Sequence, residues 1–221
     1  MIYKTRGIVF RLTKYGETSI IVNIFTDLFG LQGYIVNGVR SKLAKNKIAL
    51  FQPLTLLDLV VYHRENSSIN RIKEVKCLYP YQTIHADLYK SSIALFLHEM
   101  LNKIVKEQSH PEEIASFIIQ SFIELDRAKE VENFHLIFLI KLSRYLGFTL
   151  QTPLQVNGVF LKNEQQENQI ELLLQADLDN PISLSLSTRR VALEWLLKFF
   201  AVHVENMGQI RSVEVLKSVL S

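Results

Sequence analysis

The 221-residue chain has a single cysteine, Cys77. One thiol excludes an internal disulfide and any zinc site built from several cysteines of the same chain. Glycine is scarce, and the eight present form no nucleotide loop. No three have G-x-G-x-x-G spacing. Gly33 and Gly38 are spaced as in a phosphate loop, but Val39 and Arg40 follow where Lys and Ser/Thr are needed. No G-x-S-x-G elbow offers a nucleophilic serine. The histidines (His63, His85, His98, His110, His135, His203) include no H-E-x-x-H pair, so no helix presents two imidazoles on one face. Apolar runs such as "LIFLI" at 136–140 are too short to span a bilayer, and "MIYKTRGIVF" has no signal-peptide core before charges intervene. Cys77, at the end of a strand pattern, is expected to be a small buried apolar residue rather than a nucleophile. These absences predict a soluble cytoplasmic protein with no catalytic residue, metal or cofactor.

What is present is a core and an uneven charge. Hydrophobic residues make up 48% of the chain and charged residues 21%, enough for one large domain or two small ones. Residues 1–80 hold 12 Lys/Arg against 5 Asp/Glu, whereas 81–221 hold 13 against 17. A basic first third joined to a mildly acidic remainder predicts two modules with different partners.

The first eighty residues read as strands. "RGIVFRL" (6–12), "TSIIVNIFTD" (18–27), "LQGYIVNGV" (31–39), "LTLLDLVVYH" (54–63) and "INRIKEVKCLY" (69–79) are rich in β-branched and aromatic residues and separated by close turns. In the second, Ile20, Val22 and Ile24 share one face, with Ile21 and Phe25 on the other. Five short strands suit a small closed or nearly closed barrel better than a sandwich. After Pro80 the period becomes helical: 88–107 with Ile93, Leu97, Met100, Leu101 and Ile104 on one face, then a helix after Ser109 as N-cap with Pro111 and Glu112 in a capping-box arrangement. The pattern continues with a mostly apolar helix at 132–148 stopped by Gly147, a long one at 189–206 capped by Ser187 or Thr188 and ended near Gly208, and a short one at 211–220. The interval 151–186 is the least regular, and "VNGVFLK" with "QIELLLQ" is read as a hairpin. The residue pattern therefore reads as α+β: a small five-stranded, closed or nearly closed barrel over 1–80, then an all-α domain over 81–221.

The densest charge lies in "VRSKLAKNKIAL" (39–50). Arg40, Lys42, Lys45 and Lys47 fall on one connection with no acid to offset them. Lys4, Arg6, Arg11 and Lys14 add to the same barrel. Such a loop is either a solvated face or the contact for an anion. Barrels of the OB kind bind single strands through a positive groove and stacked aromatics. Tyr15, Phe29 and Tyr34 lie in or beside turns where a ring could reach a base, although Phe29 could equally close the core. In the helical domain Arg189 and Arg190 sit at a helix start, against the dipole, which marks a weaker candidate for an acidic peptide tail or a phosphate.

The segments "GIVFRLTKYGETSIIVNIFTDLFGLQGYIVNGVRS" and "LFQPLTLLDLVVYH" resemble the N-terminal domain of the RecO family of bacterial recombination mediators. The shared pattern is G-I-V, then Y-G-E before I-V and F-T, a G-x-R step into a basic loop, and Q-P-L. "FHLIFLIKLSRYLGF" is similar to the family's L-G-[YF] helix, and "FFAVHVENMGQIRSVEVL" to its C-terminal segment. The resemblance implies an OB-fold followed by a helical domain and no enzyme. It implies binding of single- and double-stranded DNA, annealing of complementary strands, and work with RecR in loading RecA onto DNA coated by single-stranded-DNA-binding protein. The helical domain would take the acidic, hydrophobic-tipped tail of that coating protein. By this reading Arg40, Lys42, Lys45, Lys47, Lys14, Arg11, Arg6, Tyr15 and Tyr34 contact DNA. One departure is clear: many family members carry a four-cysteine zinc module after the L-G-[YF] helix, and 149–175 has no cysteine. The competing readings are an adaptor whose barrel meets an acidic protein without DNA, and an enzyme built on Cys77 or a histidine.

Overall fold

The computed structural model describes residues 1–40, 47–65, 67–106, 110–148, 150, 161, 164–180 and 182–220. Five strands form a closed barrel: β1 (Ile2–Tyr15), β2 (Ser19–Thr26), β3 (Gly30–Val36), β4 (Leu56–Tyr62) and β5 (Ile69–Tyr79). Their order around the barrel is β1-β2-β3-β5-β4, and β4 returns to β1. Every pairing is antiparallel except β3 with β5. This is the expected fold class, with strands at the places their period-2 patterns mark.

Closure depends on the length of β1. Its first half pairs with β4 and its second with β2, with a register break between Val9 and Arg11 that bends the strand. Gly7 lies where both pairings overlap. A Cβ there would sit 2.7 Å from the Ile24 side chain and 2.9 Å from the Phe25 carbonyl, so only glycine fits. The interior is filled by Val9, Ile20, Val22, Ile24, Tyr34, Phe51, Leu57, Leu59 and Val61. Each such side chain contributes about 1.5–3 kcal/mol relative to exposure. Phe25 points outward and is nevertheless buried, stacked on Phe10 with ring centres 5.7 Å apart.

Six helices follow: α1 (Leu88–Ile104), α2 (Pro111–Arg127), α3 (Phe134–Tyr145), α4 (Glu164–Gln175), α5 (Leu186–His203) and α6 (Ser212–Val219). The chain divides into two compact units, Met1–Tyr81 with Val105–Gln120, and Gln82–Ile104 with Ser121–Ser221. Residues 105–120 thus group with the barrel, a refinement of a boundary drawn from strand and helix periods alone. Within that first unit Pro111 lies beside Gly30, and Arg6 donates to the Ser116 hydroxyl at 3.4 Å.

In the second unit α3 is the central helix, buried from Phe134 through Ile140 and again at Leu142 and Ser143. It ends at Tyr145 with Leu146 as its C-cap, and Gly147 follows at φ +77°, the C′ conformation expected of it. Three expectations are corrected. "QIELLLQ" is not half of a hairpin but the body of α4, because Ile170 and Leu173 are buried at helical spacing. "VNGVFLK" and the Ser109 cap lie outside the described residues, Leu161 excepted. The cap of α5 is Ser185, not Ser187 or Thr188; its hydroxyl accepts from the Thr188 amide, so Thr188 is already the third helical residue. That helix closes at His203, before the turn through Asn206 and Gly208. Cys77 is exposed, contrary to its expected burial: it lies on the outer face of β5, an edge of the pattern that periodicity alone assigned to the core.

Candidate nucleic-acid interface

The β1–β2 turn is tight, with Gly16 at φ +57°, and it holds Arg40 against the end of β1. Arg40 donates from its backbone amide to Thr18 O at 3.0 Å and from Nη1 to Gly16 O at 2.9 Å. The start of the β3–β4 connection is therefore fastened to the turn that carries Lys14 and Tyr15. Lys14 is exposed, and Tyr15 presents 53% of its surface. Lys47 is also exposed, ahead of a short 3₁₀ turn at Ile48–Phe51 whose Phe51 is buried in the barrel. Lys42 and Lys45 lie outside the described residues. Arg11 is exposed, one row along β1, opposite Asn23 on β2.

Two predicted contacts are corrected. Arg6 is exposed but already engaged within the protein: its Nε pairs with Asp27 Oδ2 at 3.1 Å, and its backbone amide donates to Asp27 Oδ1. It also lies five residues from Arg11 along β1, about 16 Å away. Tyr34 is fully buried in the barrel interior, and that burial pushes its phenol well above the ordinary range. It is a core residue, because β3 points it inward with Val22 as its partner on β2. Phe29 resolves toward the core, half-buried and stacked on His63 at 3.8 Å.

The outer surface carries cations that the sequence reading missed. The residues opposite one another across β1, β2, β3 and β5 form outward rows: Arg11, Asn23, Gly33 and Ile69 in one, and Thr13, Ile21, Ile35 and Arg71 in the next. Arg71 was hidden inside a strand pattern, and Arg64 in the β4–β5 turn. The available signal was the alternation of β5 itself, which exposes Arg71 and Lys73 and buries Asn70.

In the helical unit, Arg189 and Arg190 border a shallow depression with Leu186 and Leu193 of α5, Leu216 of α6 and Leu220 just after it. Arg189 Nε and His135 Nδ1 are buried there without a hydrogen-bond partner among the described residues. Burial, with the Arg189 charge second, depresses the His135 pKa to about 3, so its ring is neutral at physiological pH. No group of three or more His, Cys, Asp or Glu able to hold a metal occurs among the described residues. No helix among them is long and apolar enough to cross a membrane.

Comparison with known proteins agrees with the barrel and its helices. The family model described as Recombination protein O N terminal matches residues 1–81, and that described as Recombination protein O C terminal matches 85–153. The "DNA repair protein RecO" of Flavobacterium johnsoniae is 32% identical over 99% of both chains. The proteins of the same name from Flavobacterium psychrophilum and Bacteroides fragilis are 33% and 31% identical, again over 99% of each chain. The chain therefore belongs to the RecO family of DNA repair proteins.

Proposed function

We propose that this protein is a non-enzymatic recombination mediator that binds single- and double-stranded DNA on its barrel, anneals complementary strands and helps load RecA onto coated DNA. The observation that carries the reading is the fastening of Arg40, the first cation of the basic stretch, to the β1–β2 turn that follows Lys14 and Tyr15 on a closed OB-type barrel. Two strands repel as polyanions, and exposed cations that hold phosphates loosely lower that barrier while leaving base edges free. Lysine suits this as a mobile point charge. Arg40 keeps one guanidinium nitrogen on Gly16 and has others for a more directed phosphate contact.

The partners follow from the same reading. RecR and the acidic tail of single-stranded-DNA-binding protein are the expected ones, in the bacterial cytoplasm and at the nucleoid. The depression beside Arg189 and Arg190 has the chemistry for such a tail: cations for its carboxylates and four leucines for its apolar tip.

The test is annealing of complementary oligonucleotides, with single-strand binding over a salt series, for the native chain and a variant with Arg40, Lys42, Lys45 and Lys47 all changed to Ala. Four phosphate contacts contribute about −3 to the slope of log K against log salt, at roughly −0.7 each. Loss of that slope and of annealing in a folded variant supports the reading. Native protein that neither binds nor anneals DNA overturns it in favour of an adaptor for an acidic protein.

A further inference from the structure

A concavity of about 680 Å³ opens on the barrel at the β4–β5 turn. Among its lining residues are Tyr62, Arg64, Ile69, Asn70 and Arg71, and no carboxylate occurs among the described ones. We propose that it is a second single-strand subsite that seats one nucleotide of the bound strand, with Arg64 and Arg71 on the phosphate and Tyr62 against the base. The proposal rests on the DNA-binding reading and extends it to residues outside the basic loop.

Register places the key groups on one face. Tyr62 of β4 is the direct cross-strand partner of Arg71 of β5, so their side chains emerge side by side. Tyr62 presents 43% of its surface and Ile69 41%, the kind of apolar area a base covers by stacking. Arg64 and Arg71 are both exposed, and neither guanidinium has an ion-pair or hydrogen-bond partner among the described residues. Planar guanidinium forks match phosphate oxygens in a way an ammonium does not.

The floor beneath them is fixed. Asn70 is buried, accepts the Arg64 amide at 3.1 Å on Oδ1, and directs Nδ2 to Gln32 Oε1 and His63 Nδ1. The His63 ring is held in turn by its stack on Phe29. Polar groups of the floor are thus satisfied inside the protein, and the two guanidiniums remain as open donors at the mouth. A preformed site of this kind loses little entropy on binding, and its volume falls within the range of small-molecule sites, about 300–1,000 Å³.

The concavity also continues an outward row of the barrel that begins on β1. Arg71 ends the outward row that starts at Thr13, next to Lys14. Three strand spacings, about 14 Å, separate those ends. A strand held at Lys14 and Arg40 and drawn across Ile21 and Ile35 reaches the concavity within a few nucleotides.

The experiment is a titration of fluorescein-labelled oligothymidylate over a salt series with four full-length proteins: native, Arg64→Ala/Arg71→Ala, Tyr62→Ala and Tyr62→Phe. Circular dichroism and thermal melting check that each is folded. The double arginine variant is expected to lose about 1.4 from the salt slope, two contacts at roughly 0.7 each. Tyr62→Ala is expected to bind about tenfold more weakly at every salt concentration with its slope unchanged, and Tyr62→Phe to bind like the native protein, because the ring face is what stacks. Native protein that binds while both the arginine and alanine variants match it overturns the subsite and leaves the DNA reading standing. Native protein without salt-dependent binding overturns both. If polyglutamate binds in place of oligothymidylate and these arginines carry that binding, the concavity belongs to an acidic protein and the proposal fails.

Discussion

The barrel and the helical unit use charge in opposite ways. On the barrel, Lys14, Lys47, Arg64 and Arg71 are exposed, with no ion-pair partner among the described residues. In the helical unit, Arg189 and Arg190 apart, the conspicuous charges are consumed by the fold. Asp126 is buried, and its carboxylate accepts from the backbone amides of Gln82, Thr83 and Ile84. Lys90, also buried, donates Nζ to Asp126 O and the Thr83 hydroxyl. Glu99 of α1 accepts from the amides of Arg211 and Ser212 and from the Ser212 hydroxyl, a cap for α6 supplied from another helix because Arg211 offers none. Lys103, one turn on, donates to the carbonyls of Met207 and Gln209. Charge left open is available to a ligand; charge closed by hydrogen bonds is spent on the fold itself. A net charge per domain, +7 against −4 by the counts above, does not make this distinction.

The comparison breaks most visibly at Asp126. Asp126→Ala leaves three amides without their acceptor beside a buried ammonium, and the expected loss is about 3–5 kcal/mol. Thermal melting should fall by about 10 °C. The salt slope of DNA binding, measured below the transition, should stay native. A slope that fell with the melting temperature would show that the barrel's charges depend on this interior.

Glu99→Gln is the milder version. One amide oxygen replaces two carboxylate oxygens, and its NH₂ faces donors, for a cost of about 1–2 kcal/mol. The dependence on pH has a definite sign. Burial alone would raise the Glu99 pKa, but the Ser212 hydroxyl, the two amides and Lys103 together hold it below its ordinary value. Its contribution is therefore present above the unfolded pKa, about 4.3, and is lost as pH falls through the lower folded value. Native and Glu99→Gln proteins should differ in melting temperature at pH 7 and converge as pH falls below the ordinary carboxylate range.

These interior networks were invisible in the sequence, and the reason is physical. The barrel was legible because a period of two with β-branched residues is local, and all five strands followed from it. The basic connection was legible as four cations without an acid. Tyr34 and Arg6 were misplaced because composition near a turn says nothing about which way a strand points a ring or whether a neighbour's carboxylate has claimed a guanidinium. Arg71 was missed for the complementary reason: only the register of β5 against β3 and β4 brings it beside Tyr62. Asp126 and Glu99 meet partners more than forty and more than one hundred residues away. No spacing rule reaches that far.

The finest test of the contrast lies within a single strand. Arg6 and Arg11 are both exposed cations of β1, and the sequence ranked them equally. Arg6 is spent on Asp27, which also accepts the Thr5 hydroxyl at 2.5 Å and is itself only 12% exposed. Arg11 has no such partner among the described residues. Arg6→Ala should therefore cost stability, by less than about 1 kcal/mol because the guanidinium is half in solvent, and leave the salt slope unchanged. Arg11→Ala should leave melting unchanged and take about 0.7 from the slope, one phosphate contact. Equal slopes for the two variants would mean that a cation's partner inside the protein does not decide whether DNA can use it.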